Sequence, residues 1–182
     1  MTARDNERPA VAKRDLQQRG VTGSTDAILR SVSGENAEIV RRWVTPELSR
    51  NIDEVRASVA EFFDPDFDYY PARKFPEARP CHGLEEFTRF LISFRESWSR
   101  FEWAINDLIE VGDDRVLACL SMRAEGSESG MNLEGDVYQC FWLRNGRFFR
   151  EEDHLTLSGA LRAFGLHGDT LEAAGLRTPT KA

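Results

Sequence analysis

The sequence predicts an α+β fold in which helices come first and a sheet built from antiparallel hairpins follows. Apolar residues recur at helical spacing in three segments before residue 99. From residue 101 onward they alternate with polar residues, and glycine-containing turns separate the alternating segments. Helices followed by a run of hairpins are typical of a sheet that packs its helices on one face.

Three amphipathic helices are expected in the first half of the chain. The first follows Ser33, a residue type that caps helix starts, and a break is expected at Pro46 because proline lacks a backbone donor. The second begins after Asn51, and the third runs from Leu84 to Trp98 with the most regular apolar stripe. The three stripes are Ala37, Val40, Trp43 and Val44; Ile52, Val55, Val59, Phe62 and Phe63; and Leu84, Phe87, Leu91, Phe94 and Trp98.

The stretch FFDPDFDYYP, residues 62–71, predicts a strand between the second and third helices. Successive strand side chains point to opposite faces, so Phe67 and Tyr69 share a buried face and the intervening acids are exposed to water. Four further strands are expected after residue 100, and the Asn145-Gly146 turn is the strongest hairpin signal among them. A short amphipathic piece from Leu157 to Leu166 closes the domain.

Length and composition favour one domain, which we place at residues 25–167, between a flexible N-terminal tail (1–24) and a C-terminal tail (168–182). The chain has 182 residues, 41% of them hydrophobic, which is enough for a core. A net charge of -7 argues against a nucleic-acid partner, because phosphate-binding surfaces are basic. No run approaches the ~20 apolar residues of a membrane span, and no secretory leader is evident. We therefore expect a cytoplasmic protein without a membrane partner.

The cysteine and histidine residues give no indication of a metal or a cofactor. Cys81, Cys119 and Cys140 are odd in number and far apart, so neither a disulfide framework nor a CxxC pair is predicted. The three histidines lack metal-ligand spacing such as HExxH. We expect buried free thiols, no metal and no cofactor.

The order of these elements, together with six stretches of sequence, resembles the SnoaL-like branch of the nuclear transport factor 2-like superfamily. The resemblance covers roughly residues 33–166 and rests on order and spacing more than on any one motif. The matching pieces are ENAEIVRRW, EFFDPDFDYYP, CHGLEEFTRFL, FEWAINDLIEVGDDRVLA, and CFWLRNGRFFREED followed by LSGALRAFGL.

The resemblance implies a cone, in which a strongly curved antiparallel sheet wraps over helices and encloses a central apolar pocket. Members of the superfamily include ketosteroid isomerase, polyketide cyclases and proteins that catalyse nothing, so the fold alone does not set the function. The ketosteroid isomerase pattern is not kept. Tyr70-Pro71 stands where its general base would lie, and Trp43 and Gln139 stand where its oxyanion donors would lie.

Strand parity places a polar cluster inside the expected pocket. If Phe141 faces the helices then so does Gln139, and on the family pattern Glu151, Asp153 and Leu155 take the inward positions of the next strand. Burial and mutual repulsion raise the pKa of a carboxyl group, which makes it a competent acid or base near neutral pH. Asp153 and Glu151 are therefore the candidate catalytic residues, and the candidate substrate-binding residues are Tyr69, Gln139, Trp43, Trp98 and Phe67.

A second interpretation of the same strand stays open. A β-bulge or a one-residue slip would exchange the two faces, which would place Arg150, Glu152 and His154 inside and leave Glu151 and Asp153 in water.

The opposite face of the sheet is also apolar by parity, at Tyr138, Cys140, Trp142, Leu117 and Cys119. A sheet that is apolar on both faces must be covered on both, and a second copy of the chain would provide the cover. Two functions remain. One is a cofactor-free acid/base isomerase, lyase, cyclase or hydrolase acting on a small hydrophobic molecule. The other is a non-catalytic ligand-binding or dimerisation module.

Overall fold

The computed structural model describes residues 29–31, 34–44, 51–73 and 79–167 of the chain. Both expected tails, Ser33 and the break at Pro46 lie outside these residues. The strands are β1 Leu29–Ser31, β2 Phe63–Tyr70, β3 Cys81–His82, β4 Trp98–Val111, β5 Arg115–Gly126, β6 Asn132–Arg144 and β7 Arg147–His154. The helices are α1 Glu35–Val44, α2 Ile52–Phe62, α3 Gly83–Glu96 and α4 Leu157–Ala163.

One curved, seven-stranded sheet runs in the order β1-β4-β5-β6-β7-β2-β3, and the predicted α+β class is confirmed. Neighbouring strands pair antiparallel except β2 and β7, which are parallel. The antiparallel expectation is therefore wrong for this one pair. Parallel neighbours cannot be joined by a tight turn, and here α3 and the β4–β6 hairpins lie between the two strands in the chain.

Among the described residues, the expected start of the second helix is observed and the expected end of the third is not. Asn51 caps α2, since its side chain accepts a 3.0 Å hydrogen bond from the Asp53 backbone amide. The expected third helix ends early, at Glu96, and Trp98 opens β4, where it pairs with Gly126 of β5. Its position on the helical stripe was misleading, because ladder hydrogen bonds to β5 replace the helical ones from this residue onward.

The hairpin between β6 and β7 has the geometry that its sequence predicts. Asn145 has φ of 53° and Gly146 has φ of 73°, so both residues occupy the left-handed region. Two such residues are required by the tight turn whose twist matches the flanking strands. This turn brings the acidic end of β7 alongside the middle of β6.

The main core lies between the inner face of the sheet and helices α1 to α3. Its largest fully buried side chains are Phe63, Phe67, Phe87, Phe141 and Phe148. Phe63 is in ring contact with three of the other four, with centroid separations of 4.5 to 5.1 Å. Tightly packed aromatic rings of this kind fix where β2 and β7 lie relative to α3.

A second core covers part of the outer face of the sheet, and helix α4 of the same chain supplies the cover. The rings of Trp142 and Phe164 lie 4.7 Å apart, and the Cys140 thiol donates to the Ala160 carbonyl at 3.5 Å. The outward positions expected from parity are correct. Because α4 covers part of this face, its apolar character does not by itself require a second copy of the chain. None of the described helices combines the length and the apolar character needed to cross a bilayer.

Candidate functional site

A cavity of about 800 Å³ opens between α3 and the inner face of the sheet. This volume lies within the range of pockets that hold small molecules. Aromatic side chains form much of its wall: Trp43, Phe87, Phe90, Phe94, Trp98 and Trp103. The cavity therefore presents flat apolar surface to whatever occupies it.

Four buried polar side chains converge on one wall of this cavity. The Tyr69 hydroxyl donates to Oδ2 of Asp153 at 2.7 Å. Nε2 of Gln139 donates to Oε1 of Glu151 at 3.0 Å and to Oδ1 of Asp153 at 3.1 Å. All four residues line the cavity, and each is at most 8% exposed. The predicted convergence of these residues is therefore observed, and their catalytic and binding roles stay predictions.

Strand register explains why residues from three strands meet. Gln139 of β6 lies opposite Asp153 of β7, and Tyr69 of β2 lies beside Glu151. Directly paired positions on one face bring their side chains within contact distance. The network is therefore built across β6, β7 and β2.

A bulge in β7 decides which face the acids occupy. Leu143 pairs with Phe148 and Trp142 pairs with Arg150, so Phe149 is an extra residue with no opposite partner. Phe148 is fully buried in the main core, and strict alternation from it would put Arg150 inside and leave the acids outside. The bulge restores Glu151 and Asp153 to the inner face. The sequence left open that a β-bulge would turn Glu151 and Asp153 outward. A bulge is present, but it turns both acids inward.

The electrostatics of the pair follow from burial. Loss of water contact raises the pKa of Asp153 to about 6, although hydrogen bonds from Tyr69 and Gln139 pull that pKa down. Burial, and then the negative charge of Asp153, raises the pKa of Glu151 well above its ordinary value. Burial and the two carboxylates also raise the pKa of Tyr69 well above 10. Tyr69 is therefore a hydrogen-bond donor at every physiological pH.

Asp153 is the carboxyl that ionises first. It accepts two side-chain hydrogen bonds, whereas Glu151 accepts one, and a second negative charge beside the first is disfavoured. Oε2 of Glu151 and Oε1 of Gln139 are buried without a hydrogen-bond partner among the described residues. The arrangement can hold one proton on Glu151 and leave Asp153 as a base poised near neutral pH.

Two of the sequence-predicted residues lie elsewhere. Phe67 is fully buried in the main core against Phe63 and Phe87 and does not line the cavity. Leu155 follows the end of β7 and is 37% exposed, so its expected inward position is wrong. Trp43 and Trp98 line the cavity as predicted.

Several cavity residues were not singled out from the sequence. Phe90 lies off the apolar stripe of α3, and Arg79, Glu86 and Arg89 belong to a loop and a helix surface where charge is ordinary. The signal available was the position of Glu86, since Arg89 and Phe90 follow it by three and four residues, the spacings that share one face of a helix. Within the described ranges, no group of three or more His, Cys, Asp or Glu side chains is placed to hold a metal ion.

Solved structures share this fold at low sequence identity. A protein named as a SnoaL-like polyketide cyclase from Jannaschia sp. CCS1 superposes with a TM-score of 0.58 at 18% identity, over 74% of this chain and 96% of that one. TerC, co-crystallised with polyporic acid, gives 0.56 at 20% identity over 72% and 96%. A protein with a ketosteroid isomerase-like fold from Catenulispora acidiphila DSM 44928, in complex with trimethylamine, gives 0.55 at 17% identity over 72% and 95%. At these identities the likeness shows the fold. Comparison with curated proteins gives no match.

The fold and the cavity define a small α+β domain of the nuclear transport factor 2-like class, with a curved sheet around an internal pocket. Within that class, the SnoaL-like domain family matches residues 40–151, which is more than half of the chain. The protein belongs to this family. The match ends at Glu151, so Asp153 and α4 lie beyond the matched segment.

Proposed function

We propose that the cavity binds a small hydrophobic, cyclic molecule and that the protein is a cofactor-free acid/base enzyme of the isomerase, lyase or cyclase type. The observation that carries this proposal is Asp153, buried at the cavity wall and held by Tyr69 and Gln139 with a pKa of about 6. A carboxylate with a pKa near the working pH is suited to accept and return a proton. The names of two similar structures, a polyketide cyclase and a complex with polyporic acid, support a cyclic ligand.

In this mechanism Asp153 removes a proton from a ring carbon next to a carbonyl group and later returns it, to the same or another carbon. The electron pair of the broken C–H bond moves into an enolate, so no oxidant or reductant is consumed. Tyr69 and Gln139 hold the carboxylate in place, and the aromatic wall excludes water from the reacting carbon. Glu151, which was predicted to be catalytic, is assigned a supporting role because its hydrogen bond fixes the Gln139 amide.

One observation favours the second candidate function, a non-catalytic ligand-binding module. The Tyr69 hydroxyl and both amide protons of Gln139 are used on carboxylates, so neither side chain offers a free donor to an oxyanion. Both residues are candidate substrate-binding residues from the sequence. The dimer and the cytoplasmic location stay predictions from the sequence.

Measuring proton exchange at carbon distinguishes the two functions. We expect the protein to accelerate exchange of the ring protons next to the carbonyl of 2-tetralone in D₂O, followed by ¹H NMR. Asp153→Asn should reduce the exchange to the buffer rate, whereas Glu152→Gln, on the opposite face of the same strand, should not. If the protein binds 2-tetralone without accelerating exchange, the ligand-binding function replaces the catalytic one.

A further inference from the structure

The cavity has a cationic side that the acid/base network does not use. Arg79 and Arg89 both line it, together with Glu86 and the hydroxyl-bearing Ser93 and Ser97. These residues come from α3, from Ser97 at its C-terminal end and from the segment just before β3. The lining is thus aromatic on one part and polar and charged on another, which is suited to an amphipathic ligand.

The cationic side lies across the sheet from the acids. Glu151, Tyr69 and Cys81 sit side by side on β7, β2 and β3. Adjacent strands are about 4.8 Å apart, so the backbone of Cys81 lies roughly 10 Å from that of Glu151. Arg79 is two residues before Cys81. The charge of Glu86 raises the pKa of the Cys81 thiol and the charges of Arg79 and Arg89 lower it, so all three side chains lie near this thiol.

The two guanidinium groups are available to a ligand. Within the described parts of the chain no carboxylate lies at ion-pair distance from Arg79, and Arg89 reaches Glu85 only at 3.9 Å. Glu86, the acid that the described residues place on this side, accepts a 2.9 Å hydrogen bond from the His82 backbone amide at the start of α3. Glu86 is therefore fixed by the helix end, while both arginines keep donors that a carboxylate can engage.

We propose that Arg79 and Arg89 form a carboxylate-binding subsite, so that the ligand is a ring-containing apolar molecule with an anionic group at one end. The inference rests on the proposed binding of a small hydrophobic molecule in the cavity. An anion held between the arginines lies away from Asp153, so its charge does not oppose ionisation of the base. The subsite also fixes which end of the ligand faces the acids.

Calorimetric titration with two probes of nearly equal shape tests the subsite. The probes are 2-naphthoate, which is anionic, and 2-naphthamide, which is neutral. We expect the wild-type protein to bind naphthoate about fivefold to tenfold more tightly, as two partly exposed charge-assisted contacts would provide. The preference should shrink when NaCl is raised from about 50 mM to about 500 mM, because exposed charges are screened.

Matched variants assign the preference to the subsite. The double variant Arg79→Gln with Arg89→Gln should lose the preference for naphthoate and keep its affinity for naphthamide. Arg123→Gln, an exposed arginine paired with Glu134 on the outer face, should keep both affinities. Equal binding of the two probes by the wild-type protein, or an unchanged preference in the double variant, overturns the subsite alone. If neither probe binds, both the subsite and the proposed binding of a small hydrophobic molecule are wrong. Failure to catalyse 2-tetralone exchange would leave the subsite unaffected.

Discussion

The hydroxyl of Tyr69 lies 2.7 Å from Oδ2 of Asp153, although the two residues are 84 positions apart in the chain. The contact exists because β2, which follows α2, pairs in parallel with β7 near the end of the domain. A tyrosine held beside two acids is a donor with a strongly raised pKa, so it stabilises the ionised form of Asp153. This one bond therefore affects both the position and the pKa of the proposed base.

Tyr69→Phe should move the pH dependence of activity to higher pH. Asp153 must be ionised to accept a proton, so the rate of tetralone exchange should rise with pH through a midpoint near its pKa of about 6. Burial raises the pKa of Asp153 and the hydrogen bond from Tyr69 lowers it, so loss of the phenolic hydroxyl should raise this pKa further. The midpoint of kcat/KM against pH reports the shift, and an unchanged midpoint would show that the hydroxyl does not act on the base.

Glu151→Gln should retain most of the exchange activity. The new side-chain carbonyl can accept the hydrogen bond that Gln139 gives to Glu151, and it carries no charge. Glu151→Leu should lower activity and cost about 1–3 kcal/mol of stability, because a buried donor of Gln139 loses its acceptor. If Glu151→Gln is instead as inactive as Asp153→Asn, the glutamic acid itself transfers a proton and is catalytic.

The sequence was sufficient for the fold class and for the inward positions of Tyr69 and Gln139, and the reasons are local. Alternation along each strand and the Asn145-Gly146 turn each depend on a few neighbouring residues. The bulge at Phe149 could not be derived from neighbouring residues. Phe148 and Glu151 are both buried, which strict alternation does not allow, and only the pairing of β7 with β6 shows where the extra residue lies. Family resemblance supplied the register that alternation alone would have reversed.

The hydrogen-bond pattern within the site was beyond prediction for a related reason. Parity shows that Gln139, Tyr69 and Asp153 share a face, but it does not show which donor meets which acceptor. The same holds for Arg79, since its place on the cavity depends on the short pairing of β3 with β2. Contacts between distant segments require the tertiary structure.

Phe164→Ala should destabilise the protein by about 3–5 kcal/mol, the usual cost of removing a buried phenylalanine side chain. Phe164 is 6% exposed and packs on Trp142, so its loss leaves a gap between α4 and the sheet. Urea unfolding measures the change, and Arg162→Ala on the exposed side of α4 is the matched control. A loss below about 1 kcal/mol would mean that α4 does not cover the sheet as described.

The same pair of variants also tests the predicted dimer through the outer face. We expect the wild-type protein to sediment as a dimer, and Phe164→Ala to weaken the dimer if α4 and the outer face meet the partner together. A wild-type monomer in sedimentation equilibrium would contradict the predicted dimer. Among the described residues, α4 alone would then cover the apolar part of the outer face.

The stability of the protein should depend on pH through Asp153, with a sign that follows from its raised pKa. An aspartate in the unfolded chain titrates near its ordinary value of 3.8, whereas in the folded protein the pKa is about 6. Between these two values the folded state binds more protons than the unfolded state, so the free energy of unfolding falls as pH rises. Asparagine does not titrate, so this contribution is absent in Asp153→Asn.

The free energy of unfolding of wild type minus that of Asp153→Asn should therefore decrease between about pH 4 and pH 6 and become level above it. Urea unfolding of both proteins at each pH measures this difference, from which surface groups such as His82 cancel because both proteins carry them. Glu151, with its pKa raised in the same direction, is also common to both proteins, and its coupling to Asp153 broadens the transition without changing its sign. A difference that rises with pH would mean that Asp153 is stabilised as an anion, and its assignment as a base poised near neutral pH would fail.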